Sequence, residues 1–163
     1  MRTSVDVHNY LIEREVPHEV FSARGRLRTP ERLAAVLDLP QEVVGKVVVF
    51  EGPKVAVAAV VPAGTAPDVG KVRRAAGNRE LSKVSYERAS ELTEYLPESI
   101  PPVGLPNGFA VVVDRSLDRD AVLYFPGGEV RSVLKIRGRD LVKATRAKVA
   151  SILAGRDPTR PAS

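Results

Sequence analysis

"QEVVGKVVVFEGPKVAVAAVVP", residues 41–62, holds two apolar runs on either side of a Glu51-Gly52-Pro53 turn. Short valine-rich runs broken by Gly-Pro predict two antiparallel strands. In the first strand the side-chain period of two puts Lys46 on one face with Val44, Val48 and Phe50, while Val47 and Val49 take the other. Both faces are apolar, so a lysine at the start of this strand needs a reason. The second run, "AVAAVV", is apolar throughout and predicts a central strand covered on both faces.

Outward from this hairpin, "SVDVHNYLIERE" predicts an amphipathic helix capped by Ser4, with Val5, Leu11 and Ile12 as its apolar stripe. A strand "HEVF" follows the break at Pro17. In "TPERLAAVLDLP" Thr29 caps a second helix, Pro30 suits its first position and Pro40 stops it. "APDVGKVRRAAG" reads as a helix from Asp68 to Gly77, and a short strand "LSKVS" leads into another helix after Ser85. Residues 95–108, "YLPESIPPVGLPNG", carry prolines 97, 101, 102 and 106 with Gly104 and Gly108, which predicts a stiff, shaped loop. "FAVVVD", "AVLYF" and "SVLKIR" are strands, and a last helix begins near Arg139. The hairpins and interspersed helices predict an α+β fold: a mixed, largely antiparallel sheet, curved or closed into a barrel, with helices outside. Residues 1–154 form one domain in this reading, and 155–163 a disordered tail without core-forming residues.

A chain of 163 residues with 44% hydrophobic side chains can fill one core. It has no cysteine, which excludes a disulfide framework, a thiolate zinc site and a cysteine nucleophile. With no signal peptide or long apolar span, it reads as soluble, cytoplasmic and without a membrane partner. The net charge of +5 is unevenly spread: residues 131–148 hold seven basic side chains against Asp140, a net of +6. On the last helix Arg139, Lys143 and Arg146 share a stripe, with Leu141, Thr145, Val149 and Ile152 facing elsewhere. Such a stripe either tracks a phosphate backbone or is a solvated helix face.

The two histidines, His8 and His18, match no zinc spacing, and no metal or cofactor is expected. His8 lies near the apolar side of the first helix, where it would pack. His18, beside Phe21, is either a half-buried strand residue or a pocket liner. Serine-hydrolase elbow, phosphate-loop and dinucleotide fingerprints are missing from the sequence. In "PGGEVR", Gly127 and Gly128 make either a hairpin turn or a close approach of backbone amides to a ligand.

In this order and spacing the motifs resemble the YbaK and prolyl-tRNA synthetase-associated domains, which are aminoacyl-tRNA deacylases. The resemblance runs from about residue 4 to 153 and rests on "TPERLAAVLDLP", on "QEVVGKVVVF" with its lysine before an apolar strand, on "LTEYLPESIPPVG", and on "VVVD" with "VLYFPGGEVRSVLKI". It implies a YbaK-like fold and a stand-alone trans-editing enzyme that hydrolyses the ester of a mischarged tRNA, Cys- or Ala-tRNA(Pro) above all. A link to prolyl-tRNA synthetase is a family-level expectation.

On the residues alone, Lys46 reads first as a snorkelling side chain whose stem covers the sheet edge and whose charge meets water. The resemblance implies an anchor for the terminal nucleotide. It also implies catalysis by backbone amides of the 98–104 loop, including Ser99 and Gly104, with His18, Phe21, Glu98, Pro102, Gly127 and Gly128 around the substrate and Arg139, Lys143 and Arg146 on the tRNA. The family's loop motif begins with Gly, where this chain has Glu98, followed by Pro102 and Gly104. A glutamate is strained at positive φ, and its carboxylate would favour the α-ammonium of the aminoacyl group. Two other classes compete with the editing hydrolase: a non-catalytic tRNA- or nucleotide-binding module, and a protein-interaction domain without a nucleic-acid partner.

Overall fold

The two apolar runs pair as expected. In a computed structural model describing residues 1–155, β2 (Gly45–Gly52) and β3 (Val55–Pro62) are antiparallel from Gly45↔Pro62 to Gly52↔Val55. The expected disordered tail, apart from Gly155, lies outside the described residues. Glu51 and Gly52 still pair with Ala56 and Val55, so the turn residues are Pro53 and Lys54, slightly later than the sequence suggests.

β3 lies at the centre of a five-stranded sheet of order β4-β2-β3-β5-β8, with β4 at Ser82–Lys83, β5 at Phe109–Asp114 and β8 at Lys148–Ala150. β5 and β8 run parallel to their neighbours, and the other pairings are antiparallel. A second sheet of order β1-β7-β6 is built from Glu19–Ser22, Ser132–Arg137 and Val122–Pro126 and is wholly antiparallel. Among the described residues, one bridge, Val44↔Tyr124, links the two. The α+β class therefore holds, but as two joined sheets and not a closed barrel.

The main core lies between the sheets, with Val49, Val60 and Val113 from one and Leu123, Phe125, Leu134 and Ile136 from the other. The opposite face of β3, through Val57, Ala59 and Val61, packs with Val72, Leu81 and Ile152 in a second cluster. This is why "AVAAVV" tolerates no polar residue: both faces are out of water.

Three of the caps read from sequence are in place: Thr29 on α2 (Pro30–Val36), Asp68 on α3 (Val69–Ala76) and Ser85 on α4 (Tyr86–Thr93). Two helices differ from expectation. α1 (Ser4–Glu13) is capped by Thr3 in a reciprocal capping box with Asp6, and it buries Val7 and Leu11 while Val5 and Ile12 face water. The last helix, α5 (Gly138–Thr145), is shorter than expected: Arg146 turns left-handed at φ 53°, and the chain continues as β8. Val149 therefore sits on a strand and not on the helix. No described helix is long and apolar enough to cross a membrane.

Candidate active site

The first turn of α2 and the start of β2 place Lys46 and Glu31 together. Thr29 and Pro30 fix where the helix starts, which puts Glu31 in its first turn, where a carboxylate suits the positive end of the helix. Lys46 Nζ donates to Glu31 Oε1 at 3.3 Å, and the same oxygen accepts the Gly64 amide at 2.9 Å. Burial pushes the Glu31 carboxyl up, but the Gly64 amide and Lys46 outweigh it and hold the group below its usual range. Lys46 thus begins an apolar strand with its ammonium held by a carboxylate.

This pair borders a cleft of about 240 Å³. Arg28 to Glu31, Lys46 to Val49, Lys83 to Tyr86 and Pro97, Glu98 and Ile100 line it. Glu98 accepts from Arg26 Nε at 2.9 Å and from Nη2 of the same side chain. Both carboxylates in the cleft are thus matched. Arg28 and Lys83 make no ion pair among the described residues, which leaves the cleft with an excess of positive charge.

Pro97–Ser99 is a single 3-10 turn, closed by Ser99 N–H to the Leu96 carbonyl at 2.9 Å. Pro101 and Pro102 have no N–H to offer, and no hydrogen bond within the described chain uses the N–H of Glu98 or Ile100. Those two residues line the cleft. Ser99 itself is buried, its carbonyl accepts Gly128 N–H at 3.0 Å, and its Oγ has no partner. Glu98 is not among the residues with positive φ, so glutamate brings no backbone strain to this position.

Of the residues singled out from sequence, Lys46 and Glu98 line the cleft, with Ser99 between the liners Glu98 and Ile100. Gly104 and Pro102 are buried and do not line it. Gly104 has φ +69°, its carbonyl accepts the Tyr95 hydroxyl at 2.8 Å, and a Cβ there would stand 2.8 Å from that oxygen. Gly127 and Gly128 connect β6 to β7, where an added Cβ would meet Ser132 and Thr3 backbone atoms at 2.8 and 3.0 Å. Their smallness serves the chain's own packing.

His18 and Phe21 lie elsewhere. His18 borders a second, shallower cleft with Glu19, Lys135 and Asp140, and its Nε2 is 2.8 Å from Nδ1 of an exposed His8. His8 therefore meets a second imidazole and not the core. Phe21 packs near Leu33 and Val133. Arg139, Lys143 and Arg146 are all exposed, but Asp140 of the same helix borders the second cleft.

Sequence reasoning did not single out Arg28, Glu31, Lys83 and Tyr86. Glu31 carries a signal only as the acid of a helix's first turn. Tyr86 is 62% exposed in the first turn of α4, an unusual place for a large aromatic ring, and nothing in its neighbours announces the cleft.

The chain matches the family model described as the aminoacyl-tRNA editing domain over residues 25–144. Among curated proteins, none matches. Among solved structures it is similar to that of a hypothetical protein, APE2540, at TM-score 0.84 and 26% identity, covering 91% of this chain and 99% of that one. It is also similar to a candidate trans-editing enzyme for prolyl tRNA synthetase at TM-score 0.80 and 25% identity, covering 93% and 97%. A scaffold used for epitope backbone grafting has the same fold at TM-score 0.80 and 22% identity, covering 94% and 97%.

Proposed function

The chain belongs to the aminoacyl-tRNA editing domain family, and on that premise we propose that it is a trans-acting deacylase that removes a wrong amino acid from tRNA, cysteine or alanine from tRNA(Pro). The observation that carries this reading is the Lys46–Glu31 pair in a cleft that Pro97, Glu98 and Ile100 also line. A functional connection to prolyl-tRNA synthetase belongs to the same proposal, supported by the description of one structural neighbour.

The substrate is an ester between an amino acid and the ribose of the terminal adenosine. Lys46, oriented by Glu31, pairs with a phosphate or ribose oxygen of that nucleotide and acts as an anchor. Water attacks the ester carbonyl, and the negative charge that gathers on its oxygen is met by N–H donors of the 98–104 loop. We assign that part to the amides of Glu98 and Ile100, two residues that line the cleft and whose N–H groups make no hydrogen bond within the described chain. The tetrahedral intermediate then collapses: the bond from carbonyl carbon to ribose oxygen breaks, the neighbouring 2′-hydroxyl assists proton transfer to the leaving oxygen, and free amino acid and tRNA separate. No protein nucleophile is needed, in keeping with a chain that has no cysteine. A single donor of this kind contributes on the order of 10²–10³ in rate.

Glu98 adds a carboxylate to the cleft wall and attracts the α-ammonium of the aminoacyl group. The test is deacylation of cysteinyl-, alanyl- and seryl-tRNA(Pro), with prolyl-tRNA(Pro) as control, by wild type, Lys46→Ala and Glu98→Gly. Selective hydrolysis that collapses in Lys46→Ala supports the reading, and an unchanged amino-acid profile in Glu98→Gly removes the role given to Glu98. Salt-sensitive tRNA binding without turnover of any mischarged species would instead favour a binding module, for which the Arg26-paired Glu98 in the cleft is the supporting observation.

A further inference from the structure

The densest run of cations that reaches the cleft is not on α5. Residues 23–32 read "ARGRLRTPER" and bring Arg24, Arg26, Arg28 and Arg32 into one short segment whose sole acid, Glu31, is already held by Lys46. Ala23 and Leu27 are buried and tie the segment down: their amides donate to the Arg131 and Val130 carbonyls at 2.7 and 2.8 Å. Arg131 returns the contact, with Nη2 2.9 Å from the Ala23 carbonyl. The two anchored apolar residues leave Arg24, Arg26 and Arg28 facing water, and Arg28 also lines the cleft. Only Arg26 of the three has an ion-pair partner among the described residues.

We propose that this arginine strap is the track along which the phosphates of the RNA's single-stranded end run into the cleft. The inference rests on the RNA substrate proposed above and assigns it a surface. The planar guanidinium fork matches phosphate oxygens better than an ammonium does, and the strap is built of arginine alone. Anchoring at Ala23 and Leu27 limits the backbone freedom lost when a ligand binds. The strap ends in the cleft, whereas the α5 stripe shares a helix with Asp140, which borders the other cleft, and the two clefts have no lining residue in common.

The test is fluorescence anisotropy of a labelled, uncharged RNA hairpin with an acceptor-type stem and a single-stranded CCA end, titrated across a range of salt concentrations. Wild type, Arg24→Gln/Arg28→Gln and Arg139→Gln/Lys143→Gln are compared. Neither Arg24 nor Arg28 makes a hydrogen bond in the described chain, so unchanged melting of that variant verifies its fold. Loss of two phosphate contacts should flatten the plot of log affinity against log salt by about 1.4–1.8 in slope. The α5 variant should keep the wild-type slope. If the α5 variant flattens and the strap variant does not, the strap is overturned while the editing reading stands. If wild type binds this RNA without salt dependence, or not at all, both the strap and the RNA-substrate reading fall.

Discussion

One oxygen of Glu31, Oε1, receives both the Lys46 ammonium at 3.3 Å and the Gly64 amide at 2.9 Å, so a single atom ties α2, β2 and the turn after β3 together. Lys46 is thus placed by a contact and not merely by the strand that carries it. Removing the carboxylate frees both the lysine and the turn.

The first prediction concerns acid. The Glu31 carboxyl is held below its ordinary value in the folded protein, so it contributes stability above the unfolded value and loses that contribution as pH falls through the folded one. Glu31→Gln should lower the melting temperature near neutral pH by about 2–4 °C, corresponding to about 1 kcal/mol for a pair this exposed. Below the carboxylate range the two melting curves should converge. Thermal melts from acid to neutral pH check this, and a difference that persists undiminished in acid would contradict it.

Gly104→Ala should be the most damaging small substitution in the loop. The residue sits at φ +69°, and its new methyl would press on the buried Tyr95 hydroxyl at 2.8 Å and the Asp6 carbonyl at 3.2 Å. Left-handed backbone alone costs roughly 1–2 kcal/mol for a residue with a side chain. With the steric term, a total of about 2–4 kcal/mol is expected, read as a fall in denaturant midpoint.

Ser99→Ala should leave the fold at least as stable as wild type. The hydroxyl is buried without a partner, and deleting an unsatisfied polar group removes a cost instead of an interaction. Because the proposed chemistry uses backbone donors, deacylation should also survive. A large loss of rate with unchanged melting would show that the hydroxyl itself takes part.

Tyr86 lines the cleft and is exposed, and an adenine ring entering there would stack on it. Tyr86→Ala should raise the apparent KM or Kd for the RNA end by roughly 5- to 150-fold, the equivalent of about 1–3 kcal/mol, while Tyr86→Phe should behave as wild type. Its effect should be independent of salt, unlike that of the arginine strap.

Much of this architecture is legible from local chemistry. Asp68, Ser85 and Thr29 announce helix starts because a cap is a contact between near neighbours, and Lys46 stands out because an ammonium in a valine strand is expensive to ignore. Where several local answers are equally good, tertiary packing chooses. Val5 with Ile12 and Val7 with Leu11 both fit a helical stripe, and only the sheets beneath decide for the second pair. Leu141, Thr145, Val149 and Ile152 keep a helical spacing to the end, but Arg146 breaks it by turning left-handed, which no residue type in that segment advertises. The same limit applies to the cleft: Lys46 and Glu98 could be marked in advance, whereas Glu31, Arg28 and Tyr86 come from segments that only the folded chain brings together.

β8 is only three residues long, yet it lies along β5 with Val112↔Lys148 to Asp114↔Ala150 in register, and the buried Asp114 carboxylate accepts the Ile152 amide at 2.9 Å just beyond it. A chain cut after Ala147 would therefore keep the whole cleft but uncover the row of amides and carbonyls along β5, whose Val111 to Val113 are an inviting template for another molecule's strand. Such a shortened protein should fail by self-association on concentration while its cleft is still intact.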